Sequence, residues 1–109
     1  NISSNQAEAS GGGVYFGSDI HASGENASSL INCLLTNNTA GRDGGGVSNN
    51  LSSQLMIANC TIAINRVTGI DFPTKYGGGL YCFDESNTDI IDSILWGNTG
   101  EFGSQIAIE

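Results

Sequence analysis

Short runs of alternating apolar and polar residues recur along the chain, and each run is bounded by Gly, Asn or Ser. Val14-x-Phe16, Leu55-x-Ile57 and Cys60-x-Ile62 have the two-residue period of β-strands. No stretch of about ten residues places apolar side chains at helical spacing. The pattern therefore predicts short strands of about three to five residues that are not linked by helices.

Two motifs alternate along the chain. The first is three glycines followed by an aliphatic residue; its copies begin at Gly11, Gly44 and Gly77, at one constant interval, with an eroded copy at 103–106. The second is an aliphatic residue three positions before an asparagine, at Ile2/Asn5, Leu35/Asn38, Ile62/Asn65 and Leu95/Asn98. A repeat of about 20 to 50 residues is typical of solenoids, in which each repeat packs only on its neighbours.

The spacing of the asparagine motif is uneven. The step from Asn38 to Asn65 is six positions shorter than the steps before and after it. A basic unit of about 27 residues with one six-residue insertion at 18–27 and another at 67–76 explains both spacings. Because the flanking register is kept, we expect both insertions to be surface loops.

Short strands without crossover helices can stack as a parallel β-helix. We predict one right-handed parallel β-helix over 1–109, with the hand taken from the crossover rule. It has about three to four coils of 27–33 residues, divided approximately at 1–10 (partial), 11–43, 44–76, 77–102 and 103–109 (partial). The predicted interior columns are Val14/Val47/Leu80/Ile106, Leu30/Ile57/Ile90, Cys33/Cys60/Ser93 and Leu35/Ile62/Leu95. The asparagine column is expected at a turn, in the left-handed conformation, with each amide bonded to the next.

The two motifs together resemble a known repeat. Gly-Gly-Gly-[Val/Leu] alternating with [Leu/Ile]-x-x-Asn is similar to the repeats of the polymorphic outer-membrane proteins of chlamydiae, and the segment 93–98 resembles coil endings of large bacterial right-handed β-helix proteins. The resemblance implies a secreted or surface-displayed bacterial protein of adhesin type, and together with the crossover rule it implies the right hand of the β-helix. The same solenoid also carries polysaccharide lyases and hydrolases, so the fold alone does not choose a function.

Charge excludes one class of partner. The chain of 109 residues has 3 Lys and Arg against 11 Asp and Glu, a net charge of −8. Binding to nucleic acid requires clustered cations, so no nucleic-acid partner is expected. No apolar run approaches the roughly 18 residues of a membrane span, so this segment is not expected to insert into a membrane.

Cysteine, histidine and acidic residues give no clear cofactor or metal site. Cys33 and Cys60 share a column, so either a disulfide or two buried free thiols is possible, and Ser93 at the third position favours thiols. The single His21 is expected in a solvated loop, and the acidic residues of 84–92 match no calcium-binding motif. We predict no cofactor and no metal.

The candidate ligand-binding residues lie between the ladder asparagines and the triple glycines. All three cations fall there, together with carboxylates and with the aromatic residues of the second insertion. The candidates are Asp71, Phe72, Lys75, Tyr76, Arg42, Asp43 and Arg66. A polysaccharide or a cell-surface receptor is the expected partner.

The function predicted from these observations is a non-catalytic structural or adhesion-type module of a larger bacterial surface or secreted protein. The alternative is a fragment of a carbohydrate-active enzyme, whose catalysis would require carboxylates and cations that converge around an open cleft. The chain begins and stops in mid-coil without a cap. We therefore expect an excised fragment or a subunit that associates end to end with its neighbours.

Overall fold

The computed structural model describes residues 1–17, 27–69, 73 and 75–109. These residues form only β-strands, turns and bends. The strands are β1 (Ile2–Ser3), β2 (Gln6–Ala7), β3 (Val14–Gly17), β4 (Ala27–Ile31), β5 (Leu34–Thr36), β6 (Thr39–Ala40), β7 (Val47–Asn50), β8 (Gln54–Ala58), β9 (Thr61–Ala63), β10 (Arg66–Val67), β11 (Leu80–Cys82), β12 (Asn87–Ile91), β13 (Ile94–Trp96) and β14 (Ile106–Ile108).

The strands form four parallel sheets, in each of which a strand pairs with its equivalents in the neighbouring repeats. Sheet 1 has the order β1-β5-β9-β13, sheet 2 β2-β6-β10, sheet 3 β3-β7-β11-β14 and sheet 4 β4-β8-β12. Up to β12 the chain visits sheets 1, 2, 3 and 4 in turn and then returns to sheet 1 one layer along, and after β13 the next strand is β14 of sheet 3. This all-β arrangement of stacked parallel strands is consistent with the predicted β-helix-like solenoid.

The strand register follows the predicted columns. Val47 pairs with Val14 and Leu80, and Ile62 pairs with Leu35 and Leu95. Central members of the columns are completely buried, whereas outer members such as Ile90 and Ile106 are each 37% exposed. The completely buried members of these columns have a neighbouring repeat on both sides, as expected for a solenoid.

The register changes at two places. Gly17 pairs with Asn50, whereas Ala27, at the start of the next strand, pairs with Gln54. The sequence separation of the paired residues is therefore six positions smaller in the second pair than in the first. The interval returns to its longer value between the pairs Ala40/Val67 and Asp43/Tyr76. Both six-residue insertions predicted from the spacing fall at these changes of register. His21 lies in the first of them, outside the described residues.

An asparagine ladder, formed by Asn5, Asn38, Asn65 and Asn98, runs along the stack inside the turn between sheets 1 and 2. The Nδ2 of Asn38 donates to Oδ1 of Asn65 over 2.9 Å, and the Nδ2 of Asn65 donates to Oδ1 of Asn98 over 3.0 Å. Each of these Oδ1 atoms also accepts the backbone N–H of the preceding ladder residue. Asn65 Nδ2 donates in addition to the carbonyl oxygen of Leu35. The ladder thus satisfies polar groups that are fully buried.

The sequence pattern predicted a left-handed conformation for the ladder asparagines, and this prediction is wrong. The left-handed residue is the one before each ladder asparagine. Asn37, Ile64 and Gly97 have φ values of 56°, 57° and 63°. The turn places the following asparagine side chain inside, where its amide is needed for the ladder. The expectation failed because the spacing of the motif locates the turn but does not show which of two adjacent residues carries the positive φ.

The three cysteines are free thiols. The Sγ of Cys60 accepts the backbone N–H of Cys33 at 3.4 Å and donates to the carbonyl oxygen of Ala58 at 3.2 Å. The Oγ of Ser93 makes the equivalent bonds one repeat on, to the N–H of Cys60 and the carbonyl oxygen of Ile91. Serine and cysteine therefore have the same role at this position.

Candidate functional site

The triple glycines form a tight bend, here called the glycine corner, before each strand of sheet 3. Gly44 has a φ of +63°, and a Cβ at this position would lie 2.8 Å from the Cβ of Ser48. The equivalent contact at Gly103 would be with Ala107. The bend therefore folds the chain so closely that the residue before it and the strand after it lie side by side on the outside of the solenoid.

Two outward columns flank the glycine corner. We call the one before the bend the corner column; it consists of Ser10, Asp43, Tyr76 and Phe102. The column after the bend consists of Tyr15, Ser48, Tyr81 and Ala107. The interior position before the second column is aliphatic in every repeat, with Val14, Val47, Leu80 and Ile106, whereas the positions of the two flanking columns differ from repeat to repeat.

Four aromatic rings stack in a row where the two columns meet. Tyr76 and Tyr81 have ring centroids 5.6 Å apart and planes inclined by 14°. Phe102 packs on Tyr76 at 5.2 Å, and Phe83 stacks on Tyr81 at 5.9 Å. These separations are those of favourable aromatic pairs. The row forms a continuous apolar wall in the third repeat.

A buried carboxylate with three hydrogen-bond partners lies beside this wall. Asp43 is only 3% exposed, and its Oδ2 accepts the Nε of Arg42 at 2.8 Å and the hydroxyl of Ser10 at 3.4 Å. Its Oδ1 accepts the backbone N–H of Tyr76 at 3.4 Å. The Nη2 of Arg42 also donates to the Ser10 hydroxyl. The charge of Asp43 is therefore paired, and the guanidinium of Arg42 is held in place beside the aromatic wall.

A second carboxylate, that of Glu109, also contacts the aromatic wall. The hydroxyl of Tyr81 donates to Oε2 of Glu109 over 2.8 Å. Burial, this hydrogen bond and the negative charge of Glu109 raise the pKa of Tyr81 above its ordinary value. The Glu109 carboxylate is also the main reason that the pKa of Tyr76 is raised. Both phenols therefore remain neutral hydrogen-bonding groups at physiological pH.

Together these groups surround a surface cavity of about 270 Å³. Its lining combines three aromatic rings, one guanidinium and two carboxylates. The lining residues are Arg42, Asp43, Tyr76, Tyr81, Phe83 and Glu109. A cavity with an aromatic wall and a few fixed polar groups has the composition of a small-molecule binding site.

The structure brings some of the predicted site residues together and separates others. Arg42, Asp43 and Tyr76 meet in this cavity. Lys75 forms an ion pair with Glu101, with Nζ and Oε2 3.4 Å apart. Asp71 and Phe72 lie outside the described residues.

Arg66 lies in a different groove, at the turn between sheets 1 and 2. This groove has a volume of about 320 Å³ and is lined by Asn37, Thr39, Ile64, Arg66, Gly97 and Thr99. Arg66 pairs in register with Thr39 and Thr99, so its two neighbours along the stack are threonines.

Sequence reasoning missed half of the cavity lining. Tyr81 and Phe83 follow the third triple glycine at alternate positions, so the two-residue period could have placed them on the outer face of β11. Glu109 carried no comparable signal because it is distant in sequence and the equivalent positions of the other repeats hold no carboxylate. Within the described part of the chain, no group of three or more His, Cys, Asp or Glu residues is arranged to hold a metal ion. The same part contains no helix of the length and apolarity that crossing a membrane requires.

Comparison with known families gives one match. Residues 32–50 match the Chlamydia polymorphic membrane protein repeat. This segment contains β5 to β7 and therefore one complete pair of motifs, with the ladder residue Asn38, the glycine corner Gly44–Gly46 and the cavity residues Arg42 and Asp43. Comparisons with the curated proteins and with the solved structures returned no match.

Proposed function

We propose that the chain is a non-catalytic structural or adhesion-type module of a larger bacterial protein that is secreted or displayed at the cell surface. In this proposal the module is a right-handed parallel β-helix of about three to four coils. The observation that carries the proposal is the match of residues 32–50 to a repeat of a bacterial membrane protein family.

The strand register supports extending this likeness beyond the matched segment. Asn38 is bonded to Asn5 on one side and to Asn65 on the other. Gly46 donates its N–H to the carbonyl oxygens of Gly78 and Gly79, the equivalent glycines of the next repeat. The neighbouring repeats therefore continue the backbone geometry of the matched one, although their surface residues differ.

The environment of Asp43 supports binding rather than catalysis. A glycoside hydrolase requires a carboxyl group that is available to exchange a proton or to attack the sugar. Both oxygens of Asp43 accept hydrogen bonds from the protein, and the guanidinium of Arg42 neutralises its charge. A carboxylate held in this way orders the cavity and positions Arg42.

The location can be tested on cells of the source organism. Antibodies raised against the 109-residue chain are applied to intact cells and to permeabilised cells, with an antibody against a cytosolic protein as the control. We expect labelling of intact cells, or recovery of the antigen from the medium. Labelling that requires permeabilisation would contradict the proposal.

We also propose end-to-end association of the isolated chain. In sheet 3, β3 and β14 each pair on one side among the described residues, so each presents a strand edge. In sheet 1, β13 is likewise an end strand, and its Ile94 and Trp96 side chains are largely exposed, as is Ile108 of β14. Exposed edges and apolar layers favour pairing with a second copy. Sedimentation velocity over a concentration series is expected to show a mass that increases with concentration, and a constant monomer mass would disprove it.

A further inference from the structure

We infer that the groove at the turn between sheets 1 and 2 binds the carboxylate of an acidic sugar residue through Arg66. This inference rests on the proposed role as an adhesion-type module, because it names a ligand class for that role. It is drawn from the charge, the unpaired polar groups and the shape of the groove.

Arg66 gives the groove a positive charge. The lining contains this one guanidinium and no carboxylate. Within the described part of the chain, the exposed Arg66 side chain has neither an ion-pair nor a hydrogen-bond partner, whereas Arg42 and Lys75 are each ion-paired with a carboxylate. A guanidinium can form two parallel hydrogen bonds to a carboxylate. An anionic ligand therefore supplies a partner that the described residues do not.

Two carboxylates of the neighbouring layers leave this charge in place. Glu101 follows Thr99 by two positions, and its charge is paired with Lys75 at 3.4 Å. Glu8 directly follows β2, which is two layers away from the strand of Arg66. Two layers of about 4.8 Å amount to roughly one Debye length at physiological ionic strength, so salt weakens the effect of Glu8 on the groove.

Three uncharged side chains add hydrogen-bond donors around the guanidinium. Thr39 and Thr99 pair with Arg66 in register, so a threonine lies one layer, about 4.8 Å, to either side of it. The Asn37 amide lines the same groove. In the ranges that the structure describes, none of these three side chains has a hydrogen-bond partner. A uronic acid has hydroxyl groups beside its carboxylate, so it can bond to Arg66 and to a threonine at the same time.

The shape of the groove leaves room for a sugar ring. Gly97 has no side chain, and a Cβ placed on it would have its nearest neighbour, Cγ1 of Ile64, at 3.8 Å. Ile64 is 52% exposed, and Trp96, directly before Gly97, is 66% exposed. The volume of about 320 Å³ lies within the range of small-molecule sites, which begins at roughly 300 Å³. A pyranose can therefore pack its C–H groups on apolar side chains while its carboxylate reaches Arg66.

Binding is tested with two pairs of trisaccharides in which charge is the main difference. Trigalacturonate is compared with its methyl ester, and cellotriose with its 6-carboxylate analogue; triglutamate is added as an acidic peptide. Chemical-shift changes of the 109-residue chain are followed by NMR in about 0.15 M NaCl, which screens the net charge of −8. We expect at least one acidic trisaccharide to bind with a dissociation constant on the order of 1 mM, about 10-fold more tightly than its neutral counterpart and than triglutamate. The inference is overturned if no acidic trisaccharide binds more tightly than both.

Variants locate the site. Arg66→Gln is expected to weaken binding of the acidic trisaccharide about 10-fold and to leave its neutral counterpart within about 2-fold. Asn87→Asp, at an exposed position of sheet 4, lowers the net charge by the same one unit and should leave both within about 2-fold. Equal losses in the two variants would mean that net charge, and not the groove, controls binding. Surface labelling of cells does not depend on sugar binding, so a labelled protein that binds no acidic sugar rejects this inference and leaves the proposed function intact.

Discussion

The asparagine ladder and the corner column run along the same repeats, but the residue type is constant in the ladder and changes at every position of the corner column. The ladder has asparagine at each of its four positions, and the corner column has serine, aspartate, tyrosine and phenylalanine at its four positions. The ladder is buried and bonded from one repeat to the next. The corner column lies outside, where its contacts depend on local partners.

The difference shows how a solenoid separates stability from recognition. A buried amide must satisfy both its donors and its acceptor, and the same residue one repeat away offers the matching groups at the right distance. In the corner column, Asp43 is buried and its carboxylate is satisfied by protein partners within reach. The other positions are half-buried or exposed and have water as an alternative partner, so their identity can change without leaving a buried polar group unpaired. New chemistry can therefore be introduced at the corner column without altering the ladder.

The largest expected effect comes from breaking the ladder. Asn65→Ala removes the side-chain acceptor of the Asn38 backbone N–H, and it removes one hydrogen-bond partner each from the Asn38 amide, the Asn98 Oδ1 and the Leu35 carbonyl. Because each unsatisfied buried group costs about 1 to 3 kcal/mol, we expect a loss of about 3 to 5 kcal/mol in the free energy of unfolding, measured by urea denaturation. Asn5→Ala, at the exposed first position, is the control and should cost less than about 1 kcal/mol. Similar losses in the two variants would show that burial does not determine the role of the ladder.

The glycine corner gives the next largest effect. A Cβ at Gly45 would strike the carbonyl oxygen of Gly78 and lie 2.7 Å from backbone atoms of Arg66. We expect Gly45→Ala to reduce the free energy of unfolding by about 3 kcal/mol. Gly97→Ala has open space, with its nearest neighbour at 3.8 Å, but a φ of +63°, and should cost about 1 kcal/mol. The reverse order would mean that the left-handed conformation at Gly97 constrains the chain more than close packing at the glycine corner does.

The aromatic wall should influence stability mainly at alkaline pH. Burial and Glu109 raise the pKa of Tyr81 above its ordinary value of 10, so the folded state favours the neutral phenol. The unfolded chain releases this proton first, and stability therefore falls as the pH rises above 10. Burial also raises the pKa of Cys82 from its ordinary value of 9, which adds to the decline.

Tyr81→Phe isolates the contribution of this phenol. The urea midpoint of the Tyr81→Phe variant is compared with that of the unaltered chain. The difference should be constant below pH 9, and above pH 10 the midpoint of the variant should rise relative to that of the unaltered chain. Parallel pH profiles for both proteins would refute the assignment of Tyr81 as a buried neutral phenol.

A small gain in stability is expected next to the ladder. Ile64 has a φ of +57° and is 52% exposed, and the equivalent residues of the neighbouring repeats are Asn37 and Gly97. Since β-branched residues are disfavoured in the left-handed region, Ile64→Asn should stabilise the protein by about 1 kcal/mol. Ile64→Val keeps the branched Cβ and should bring no gain in melting temperature. A gain from both variants would point to lost apolar exposure instead of relieved strain.

The sequence predicted the parts of the fold that depend on repetition. The spacing of the asparagine and glycine motifs determines the pairing register, so the interior columns and both changes of register could be derived from it. The left-handed conformation at Asn37 and Ile64 could not be derived from the sequence, because the two repeats have different residue types at this position. Arg42, Asp43 and Tyr76 were found from their position before the glycines, but the contact of Tyr76 with Tyr81 depends on how tightly the bend closes. The triple glycines indicate a tight bend, but how near it brings these two rings depends on the backbone geometry of the bend.

The most direct test of the separation between ladder and surface is hydrogen exchange of the asparagine side-chain amides, measured by NMR on the 109-residue chain. Asn38 and Asn65 are completely buried with their Nδ2 groups bonded to the next repeat, whereas Asn87 is exposed. We predict that the side-chain amide protons of Asn38 and Asn65 exchange at least about 100-fold more slowly than those of Asn87. Exchange at the same rate in all three residues would contradict a buried ladder that joins the repeats.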